Sequence, residues 1–356
     1  VLVISCPCAL VVSIPLGYFG GIGGASRRRV LVKGANYLDA LNDLHTVVFD
    51  KTGTLTRGVF EVTRIEPRGG YSAGQLLQLA AQAESGSTHP IALSIRKAFD
   101  GVVDADAVTG LREEKGYGVF AVIGGRRVLA GSHRLMHRES IEHEDCDVIG
   151  TAVFVAVDDE YAGYLLVSDE VKPEAAAAIA RLRRQGVKRI VMLTGDNSRI
   201  AEAIAAELGI DEIHSELLPE DKVAIVEQLQ NELDDGRKLA FTGDGINDAP
   251  VLMRADIGIS MGGLGSDAAI EASDIVIMND KVDRVAAVLD TARRTHAIVR
   301  QNIVFTLGAK MIFIALGAVG FVGMWAAVIG DVGVALLAVA NATRTLRISR
   351  AEAAEN

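Results

Sequence analysis

Charged residues are almost absent from the two ends of this 356-residue chain. Residues 1–24 contain no Asp, Glu, Lys or Arg, and residues 301–346 contain only Lys310, Asp331 and Arg344. A helix of about 20 mainly apolar residues is long enough to cross the hydrocarbon core of a bilayer. The first stretch therefore predicts one transmembrane helix, and the second predicts a helical hairpin.

Basic residues flank each of these apolar stretches. They follow the first span, precede the second and follow the third: Arg27, Arg28, Arg29 and Lys33; Arg293, Arg294 and Arg300; Arg344, Arg347 and Arg350. Basic residues are enriched on the cytoplasmic side of membrane spans, so we expect an integral, multi-pass protein of the cell (plasma) membrane with a cytoplasmic middle region. A secretory signal peptide does not fit, because its basic residues precede its apolar run.

The middle region has the composition of an acidic soluble protein. The net charge of −10 argues against a nucleic-acid partner, because proteins that bind nucleic acids carry basic patches that neutralise phosphates. The chain has three cysteines, which indicates no disulfide framework.

Short apolar strands alternate with helices between residues 45 and 285. Strands are predicted over 46–50, 189–194, 238–244 and 255–261, and helices over 173–185, 197–208 and 219–232. This order favours a doubly wound, Rossmann-like α/β domain with its site at the carboxyl ends of the strands. Residues 59–161 break the pattern, and their hairpins and helices predict an inserted α+β domain.

These changes of pattern give the domain boundaries. We expect a transmembrane helix with a cytoplasmic extension over 1–44, the Rossmann-like domain over 45–58 and 162–285, the inserted domain over 59–161, the transmembrane hairpin over 286–347 and a cytoplasmic tail over 348–356. Within the extension, the amphipathic stretch 30–41 (VLVKGANYLDAL) is predicted to lie along the membrane surface.

The stretch FDKTGTLT (49–56) places Asp50 at the end of a buried strand. A carboxylate in that position can attack a phosphoryl group and form an acyl phosphate. Gly53 lets the backbone turn close to a phosphate, whose oxygens the neighbouring amides can bind. By itself this pattern could be a simple turn, but three further motifs accompany it.

These motifs are LTGDN (193–197), PEDK (219–222) and TGDGINDAP (242–250). Thr194 precedes a Gly-Asp turn that opens a helix, which suits an anion, and Lys222 offers a positive charge to a phosphoryl group. Asp244 and Asp248 would repel Asp50 unless a hard cation joined them, and Mg²⁺ with oxygen ligands fits. Together the motifs predict phosphorylation of an aspartate.

The motifs resemble those of the P-type ATPases, whose phosphorylation domain belongs to the haloacid dehalogenase superfamily. The D-K-T-G-T of that family stands at 50–54, its T-G-D at 194–196 and its G-D-G-x-N-D-x-P at 243–250. The resemblance spans the whole chain and implies a function for each motif.

By this resemblance, Asp50 is the phosphorylated nucleophile, with Thr52 and Asp244 beside it at Mg²⁺. The other motif residues hold the phosphoryl group or support the magnesium site, in two pairs: Thr194 and Lys222; Asn247 and Asp248.

The inserted domain resembles the nucleotide-binding domain of heavy-metal P-type ATPases. Its motif ESGSTHP places a Glu five residues before a His, and glycines stand in KGYG and LAGS where the family's backbone approaches the nucleotide. The resemblance implies that ATP contacts five residues: Glu84, His89, Gly116, Gly118 and Gly131. Two departures, Thr88 for Glu and Ser132 for Asn, leave the side-chain contacts open. Without the family, a His-Pro pair is more often the beginning of a helix.

The first span contains the sequence CPC at residues 6–8. In a regular helix Cys6 and Cys8 would point to nearly opposite sides, but Pro7 removes a helical hydrogen bond. An unwound segment, as in the broken helices of transporters, would let both sulfurs bind one soft ion such as Zn²⁺, Cd²⁺, Pb²⁺ or Cu⁺. The alternative is that both cysteines pack in a kinked helix.

Lys310 and Asp331 are charged residues deep within the predicted hairpin, and they are functional candidates because charge at that depth is costly. Asp331 can be an oxygen ligand beside thiolates, with Lys310 as its counter-ion once the metal leaves. The pattern resembles the zinc, cadmium and lead branch, with D-x-G at 331–333, and lacks the Tyr-Asn and Met-x-x-Ser patterns of the copper branch. A structural Lys–Asp pair is the alternative.

The sequence thus predicts ATP-driven export of Zn²⁺, Cd²⁺ or Pb²⁺ through an aspartyl phosphate, with Mg²⁺ as cofactor and ATP as substrate. A copper- or cobalt-transporting P-type ATPase is the alternative metal assignment. A membrane-anchored haloacid dehalogenase-like phosphatase is a further alternative, although Thr52 stands where such phosphatases usually carry a second Asp. A sensor that only binds metal would have no use for the phosphoryl motifs.

P-type ATPases also carry an actuator domain with a T-G-E loop, and no T-G-E occurs in these residues. The resemblance therefore implies one more partner, an N-terminal part of the same pump with the actuator domain and earlier spans. We expect these 356 residues by themselves to bind nucleotide but not to transport metal.

Overall fold

The computed structural model of the chain describes residues 8–103, 108–114, 116–144, 150–196, 198–244, 248–262, 267–321 and 323–346. The chain divides into two compact units. The first unit takes in the chain up to Leu55, residues 173–196 and the chain from Ala205 onward. The second unit takes in Thr56–Lys172 and residues 198–204.

The described helices and strands include each strand and helix that the sequence pattern predicts for the Rossmann-like domain. The helices are α1 (Cys8–Arg27), α2 (Ala35–Ala40), α3 (Ala73–Ala83), α4 (Pro90–Ala98), α5 (His133–Arg138), α6 (Ala175–Arg184), α7 (Ser198–Leu208), α8 (Pro219–Asn231), α9 (Ala249–Arg254), α10 (Asp267–Ala272), α11 (Asp283–Ala318) and α12 (Met324–Ala342). The strands are β1 (Val30–Val32), β2 (Leu44–Asp50), β3 (Thr56–Pro67), β4 (Val108–Glu114), β5 (Gly118–Ile123), β6 (Arg126–Gly131), β7 (Thr151–Val157), β8 (Glu160–Val171), β9 (Arg189–Leu193), β10 (Glu212–His214), β11 (Lys238–Gly243), β12 (Ile257–Met261) and β13 (Ile275–Ile277).

Seven strands of the first unit form a sheet in the order β1-β13-β12-β11-β2-β9-β10. All neighbours are parallel except β1, which pairs antiparallel with β13 at the edge. Val48 of β2 and Phe241 of β11 share a buried cluster with Val226 of α8 and Leu252 of α9. Strands buried in this way are typical of parallel sheets covered by helices, and the predicted doubly wound α/β domain is confirmed.

Three described helices are long and apolar enough to cross a membrane: α1, α11 and α12 with the turn after it. The glycines of α1 allow a close approach to its neighbours. A Cβ atom on Gly17 would lie 2.9 Å from Cγ2 of Val299 in α11, and one on Gly20 would collide with the side chain of Thr345.

Helix α11 is one continuous helix of 36 residues that begins within the α/β part of the first unit. A guanidinium nitrogen of Arg181 in α6 donates to a carboxylate oxygen of Asp290 at 2.6 Å. The side-chain amide of Gln185 donates to the carbonyl oxygen of Ala286 at 2.9 Å. The N-terminal part of α11 is therefore fixed to the same structure that carries the sheet.

The prediction that residues 30–41 form one amphipathic surface stretch is wrong. Val30 and Val32 are buried and Leu31 is exposed, which is the alternation of a strand. The stretch pairs with β13 as β1, and only its second part is helical, in α2. Because Arg29 has a φ of +59°, the chain turns sharply after α1 and enters the sheet directly.

The second unit is built on a six-stranded antiparallel sheet in the order β3-β8-β7-β6-β5-β4. Helix α3 begins at a capping box formed by Ser72 and Gln75, which satisfies backbone donors at the start of the helix. The sheet takes in residues from Thr56 to Val171, whereas the sequence pattern placed the boundaries of the inserted domain at 59 and 161. The difference arises because the paired strands β3 and β8 are each 12 residues long.

Candidate active site

Three of the predicted site residues lie at one edge of the sheet in the first unit. Asp50 ends β2, Thr194 directly follows β9, and Asp244 directly follows β11. Strands β9 and β11 are the two neighbours of β2, and all three run parallel. Their carboxyl ends therefore gather these residues at the edge where α/β sheets bind ligands.

The first turn of α8 brings Lys222 to the same edge. Its ammonium group donates hydrogen bonds to Oδ1 of Asp50 at 2.6 Å and to Oδ1 of Asp248 at 2.9 Å. Both carboxylates are almost completely buried. Helix α8 begins at Pro219, whose fixed φ suits the first helical position. The local sequence therefore aims the Lys222 side chain at two buried aspartates.

Burial and repulsion by Asp248 raise the pKa of Asp50 to about 7, although Lys222 acts in the opposite direction. Asp244 also repels the charge on Asp50. Burial lowers the pKa of Lys222, but its contacts with Asp50 and Asp248 outweigh that effect and raise it above its ordinary value. Three carboxylates thus act on one another around one ammonium group, which leaves an excess of negative charge.

This excess of negative charge fits a hard divalent cation. Carboxylates and hydroxyls are the donors present, and the buried hydroxyls of Thr54 and Thr242 have no hydrogen-bond partner among the described atoms. No group of three His, Cys, Asp or Glu side chains in the described ranges is close enough to hold a metal by itself. Mg²⁺ commonly uses one or two carboxylates and keeps several waters, so Asp50 and Asp244 suit it.

The turn after Asp50 places its residues for close contacts. Gly53 has a φ of +72°, and a Cβ atom there would lie 2.8 Å from Oδ2 of Asp244. A side chain at this position would therefore push Asp244 away from Asp50. The partly buried Thr52 lies in the same turn, and Asn247 lies outside the described residues.

Lys51 is a site residue to which the sequence analysis assigned no function. Its buried ammonium group lies 2.7 Å from Oδ2 of Asp196, and so links the turn after β2 to the turn after β9. The backbone N–H of Asp196 also donates to Oγ1 of Thr194 at 3.1 Å. The charge of Lys51 next to Asp50 is the available signal in the sequence, but only the fold shows that Asp196 pairs with it.

The raised pKa of Asp50 predicts a dependence of stability on pH. The folded protein binds the Asp50 proton more tightly than the unfolded chain, whose ordinary value is 3.8 against about 7. Ionisation therefore destabilises the fold progressively as the pH rises through this window. In EDTA, we expect Asp50→Asn to gain stability relative to the wild type between pH 5 and pH 8, as measured by thermal unfolding. Parallel profiles for the two proteins would contradict this expectation.

In the second unit, Glu84 follows α3 and is buried. Burial and repulsion by Glu113 raise the pKa of Glu84 to about 7, against the effect of Arg96. The guanidinium group of Arg96 donates to the carbonyl oxygens of Glu84 and Ser87, the latter at 2.7 Å. Arg96 therefore holds the loop that carries Glu84.

His89 has the structural function that the sequence left open as an alternative. It is the N-cap of α4, and its Nδ1 accepts a hydrogen bond from the backbone N–H of Ile91 at 3.3 Å. Pro90 occupies the first helical position. The ring is exposed, so capping does not prevent a contact with a ligand.

The three predicted nucleotide glycines differ in their surroundings. Gly118 and Gly131 face each other across β5 and β6, and a Cβ atom on Gly118 would lie 2.5 Å from the Cα of Gly131. These two glycines are therefore required by strand packing. Gly116 has a φ of +83° and open space beside it, so it leaves room for a ligand to approach the backbone.

Alanine substitutions separate these two uses of glycine. We expect Gly118→Ala to lower the free energy of unfolding by about 2 kcal/mol or more, because the added Cβ meets backbone. Gly116→Ala should lower the free energy of unfolding by only about 1 kcal/mol, because of the positive φ at this position. It should nevertheless weaken ATP binding at least as much as Gly118→Ala does. Thermal unfolding and titration with a fluorescent ATP analogue measure both effects. Equal losses of stability in the two variants, with an unchanged ATP affinity in Gly116→Ala, would contradict this distinction.

Within the hairpin, Nζ of Lys310 lies 3.6 Å from Oδ1 of Asp331, and both side chains are largely buried. Nearer the N-terminal end of α11, the buried amide of Asn302 donates to the carbonyl oxygen of Ala338 at 3.0 Å. Asn302 also accepts a hydrogen bond from Asn341 at 2.8 Å. Polar contacts of this kind hold membrane helices together.

The structure describes neither of the two cysteine side chains that are predicted to be metal ligands. Cys6 lies outside the described residues. Cys8 is the first residue of α1, but its side chain also lies outside them.

The packing of α1 against α11 nevertheless places the beginning of α1. Gly21 faces Thr295 and Gly17 faces Val299, so the helices run antiparallel. Extended along both helices, this register predicts that the beginning of α1 lies beside the turn of α11 that contains Lys310. The same register predicts that the Lys–Asp pair and the first residue of α1 lie at about the same height along the packed helices.

Comparison with known proteins gives a consistent family assignment. Residues 44–256 match the family model of the haloacid dehalogenase-like hydrolases. The chain is 56% identical over 343 residues to a zinc-transporting ATPase of Synechocystis sp., covering 96% of this chain and 47% of that protein. It is also 56% identical over 347 residues to a cadmium, zinc and cobalt-transporting ATPase of Bacillus subtilis, covering 98% and 49%.

A solved structure matches almost the whole chain. The crystal structure of a zinc-transporting PIB-type ATPase in the E2.Pi state is 40% identical, with a TM-score of 0.86, and the match covers 97% of this chain and 57% of that one. The chain thus spans about half the length of the curated relatives that it matches. The resemblance to heavy-metal P-type ATPases that the motifs indicated is confirmed.

Proposed function

Because this chain belongs to the haloacid dehalogenase-like hydrolase family and resembles heavy-metal P-type ATPases almost throughout, we propose that it carries the phosphorylation, nucleotide and exit parts of a metal-exporting ATPase. The cargo is a soft or borderline divalent ion: Zn²⁺, Cd²⁺ or Pb²⁺. The observation that carries the proposal is the contact of Lys222 with both Asp50 and Asp248 at the carboxyl edge of a parallel sheet.

The phosphoryl step follows from this geometry. An ionised oxygen of Asp50 attacks the γ-phosphorus of ATP, the bond between that phosphorus and the bridging oxygen breaks, and ADP leaves with the bond's electron pair. Lys222 and the hydroxyl of Thr194 offer positive charge and a donor to the transferred group. Mg²⁺ held by Asp50, Thr52 and Asp244, with Asn247 and Asp248 in support, would neutralise phosphate charge.

The same residues explain why an acyl phosphate would persist. A phosphatase of this superfamily usually has a second Asp two residues after the nucleophile to activate water, and Thr52 stands there. No carboxylate at that position can take a proton from water. Hydrolysis therefore waits for another group, which suits a cycle in which conformational change separates phosphorylation from dephosphorylation.

ATP binding is assigned to the second unit. Glu84, His89, Gly116, Gly118 and Gly131 carry it by resemblance, and the open space beside Gly116 supports a close backbone approach. A neutral Glu84 carboxyl, which its raised pKa favours near pH 7, can donate as well as accept a hydrogen bond. This donor and acceptor pair suits the edge of a purine base.

The metal site is assigned to the level of the Lys310–Asp331 pair. Cys6 and Cys8 supply thiolates and Asp331 an oxygen, a mixed set that suits Zn²⁺ and its heavier relatives. Lys310 pairs with Asp331 when the metal has left, so the carboxylate is not left uncompensated. Helix α11 connects this level without a break to the α/β part of the first unit.

A second connection joins α1 to the α/β part. The buried guanidinium group of Arg28, at the end of α1, donates to the hydroxyl of Thr291 at 2.8 Å and to the carbonyl oxygen of Ala287 at 3.2 Å. Strand β1 then ties the chain to the sheet edge. A shift of the sheet on phosphorylation would therefore move α1 and α11 together.

The setting follows from the three spans and the relatives. The pump lies in the plasma membrane with its ATP-handling units in the cytoplasm. It works with an N-terminal partner region that holds the actuator domain and further spans.

Transport by inside-out vesicles tests this proposal. A full-length pump that carries this chain should accumulate Zn²⁺, Cd²⁺ and Pb²⁺ when ATP and Mg²⁺ are present, and should stop when ATP is replaced by a non-hydrolysable analogue. Stimulation by Cu⁺ or Co²⁺ alone would favour the alternative metal assignment. ATP hydrolysis at the same rate with and without each transported metal would instead favour the phosphatase alternative.

A further inference from the structure

Three of the seven histidines of the chain gather in the second unit, on and directly after α5. The ring centroids of His133 and His137 are 4.8 Å apart, those of His137 and His143 are 4.9 Å apart, and those of His133 and His143 are 6.3 Å apart. Neither the phosphoryl step nor the transport site uses these residues.

Their spacing is that of metal ligands on a helix. His133 and His137 are four residues apart and so lie on one face of α5, an arrangement that places two imidazoles on one Zn²⁺. Both side chains are exposed, so an ion can reach them from solvent.

His143 is prepared as the third ligand. Its Nδ1 lies 3.0 Å from the carbonyl oxygen of Ile141, and since a carbonyl only accepts, this nitrogen carries the proton. The other nitrogen, Nε2, is buried and has no hydrogen-bond partner among the described atoms. Zinc-binding histidines commonly donate their second N–H to a backbone carbonyl in this way.

Aromatic packing explains only part of the cluster. The ring of His143 packs edge to face against Phe154 at 5.1 Å between centroids, which accounts for its partial burial. Packing does not account for a buried nitrogen that no described atom binds, and a buried nitrogen is costly unless something binds it. Packing against Phe154 also does not explain why two exposed histidine rings lie next to His143.

We propose that His133, His137 and His143 form a second divalent-metal site, outside the membrane, for a borderline cation of the Zn²⁺ type. In the described ranges the three ligands are not yet arranged around one point, so binding turns the exposed rings of His133 and His137 towards Nε2 of His143. The fourth position is left to water.

The site lies beside the turn that carries two predicted nucleotide glycines. Ser132, the N-cap of α5, donates its N–H to the carbonyl oxygen of Tyr117 at 2.7 Å. Its hydroxyl lies 3.3 Å from the carbonyl oxygen of Gly116. An ion that joins α5 to His143 therefore holds this turn in place, and makes the site suited to sensing cytoplasmic metal.

Zn²⁺ titration of the full chain in detergent tests the site against a chelating indicator. Wild type and the control Arg134→Gln, an exposed position on the same helix, should bind one more equivalent of Zn²⁺ than His133→Gln/His137→Gln. The transport site is the same in all three proteins, so its occupancy cancels in this comparison. Equal stoichiometry in all three, or an equal loss in the control, would overturn the proposal.

A second variant separates ligation from packing. His143→Phe keeps an aromatic ring against Phe154 but removes the ligand nitrogen, so it should weaken binding of this equivalent at least tenfold while the thermal midpoint stays unchanged. Zn²⁺ should also shift the side-chain ¹⁵N resonances of His133 and His137 in the wild type. Unchanged affinity in His143→Phe would overturn the three-histidine site, whatever the outcome for transport.

Discussion

Asp50→Asn should abolish ATP turnover, with a fall of at least about 10³-fold in the metal-stimulated rate, because removing a covalent nucleophile removes the reaction path. The amide cannot form the acyl phosphate. It does keep the shape of the side chain and a contact for Lys222. The steady-state rate of phosphate release from ATP in the presence of Zn²⁺ and Mg²⁺ measures the effect.

The structure also predicts that this loss is not a loss of folding. In the native site Asp50 is repelled by Asp248 and Asp244 in a buried position, and the neutral amide relieves that repulsion. The thermal midpoint of Asp50→Asn in EDTA should therefore equal or exceed that of the wild type at pH 8. Asp43→Asn, an exposed carboxylate just before β2, is the matched control and should keep full activity. A misfolded Asp50→Asn protein would contradict the electrostatic description of the site.

Asp331→Asn should remove the response to metal while leaving the phosphoryl site intact. Loss of a group that supports a metal site weakens metal binding about 10- to 100-fold, and loss of a direct ligand should weaken it at least about as much. We expect Zn²⁺ stimulation of ATP hydrolysis to shift to correspondingly higher Zn²⁺ concentration or to disappear. Unchanged zinc stimulation would refute the assignment of Asp331 as a ligand.

A double variant separates ligation from ion pairing. Asp331→Asn leaves the Lys310 charge without its carboxylate, and breaking a buried pair on one side costs about 3–5 kcal/mol. Lys310→Met/Asp331→Asn removes both charges, so the thermal midpoint should recover towards that of the wild type. The metal response should not recover. Recovery of both properties would show that the pair is structural only.

The α/β fold and the gathering of the motif residues at one sheet edge could be predicted from the sequence because their signals are local. Each strand before Asp50, Thr194 and Asp244 is short and apolar and ends in a polar residue, and parallel strands bring such ends together. For Gly53 and Pro219 the residue type itself indicates the backbone geometry, a positive φ for Gly53 and the first helical position for Pro219. The order of these motifs therefore predicts which side chains meet.

Other contacts depend on partners distant in the chain, and no local pattern shows them. Residues 30–32 alternate between buried and exposed as a strand does. The amphipathic pattern of residues 30–41 as a whole indicated a single surface stretch instead, and only the pairing with β13 shows the strand. The three clustered histidines of the second unit are spread over 11 positions from 133 to 143, and only the fold of α5 and the following segment makes them neighbours. The pairing of Lys51 with Asp196 is of the same kind.

The sequence predicts that certain positions require glycine, but it does not show whether packing or a ligand is the cause. Gly118 and Gly131 were assigned to nucleotide contact by resemblance, and the structure shows that they also contact each other across two strands. Strand packing alone would require them. Gly116 has open space beside it, so packing does not compete with a ligand contact as the explanation for the glycine there.

In the proposed function, ATP transiently phosphorylates Asp50 in response to metal. The most direct measurement is incubation with γ-³²P-labelled ATP and Mg²⁺, with and without Zn²⁺, followed by acid quenching and mapping of the labelled peptide. We expect an acid-stable, hydroxylamine-sensitive label on Asp50 that depends on Zn²⁺ and is absent from Asp50→Asn. A label on another residue, or a label on Asp50 that is the same without any metal, would contradict it.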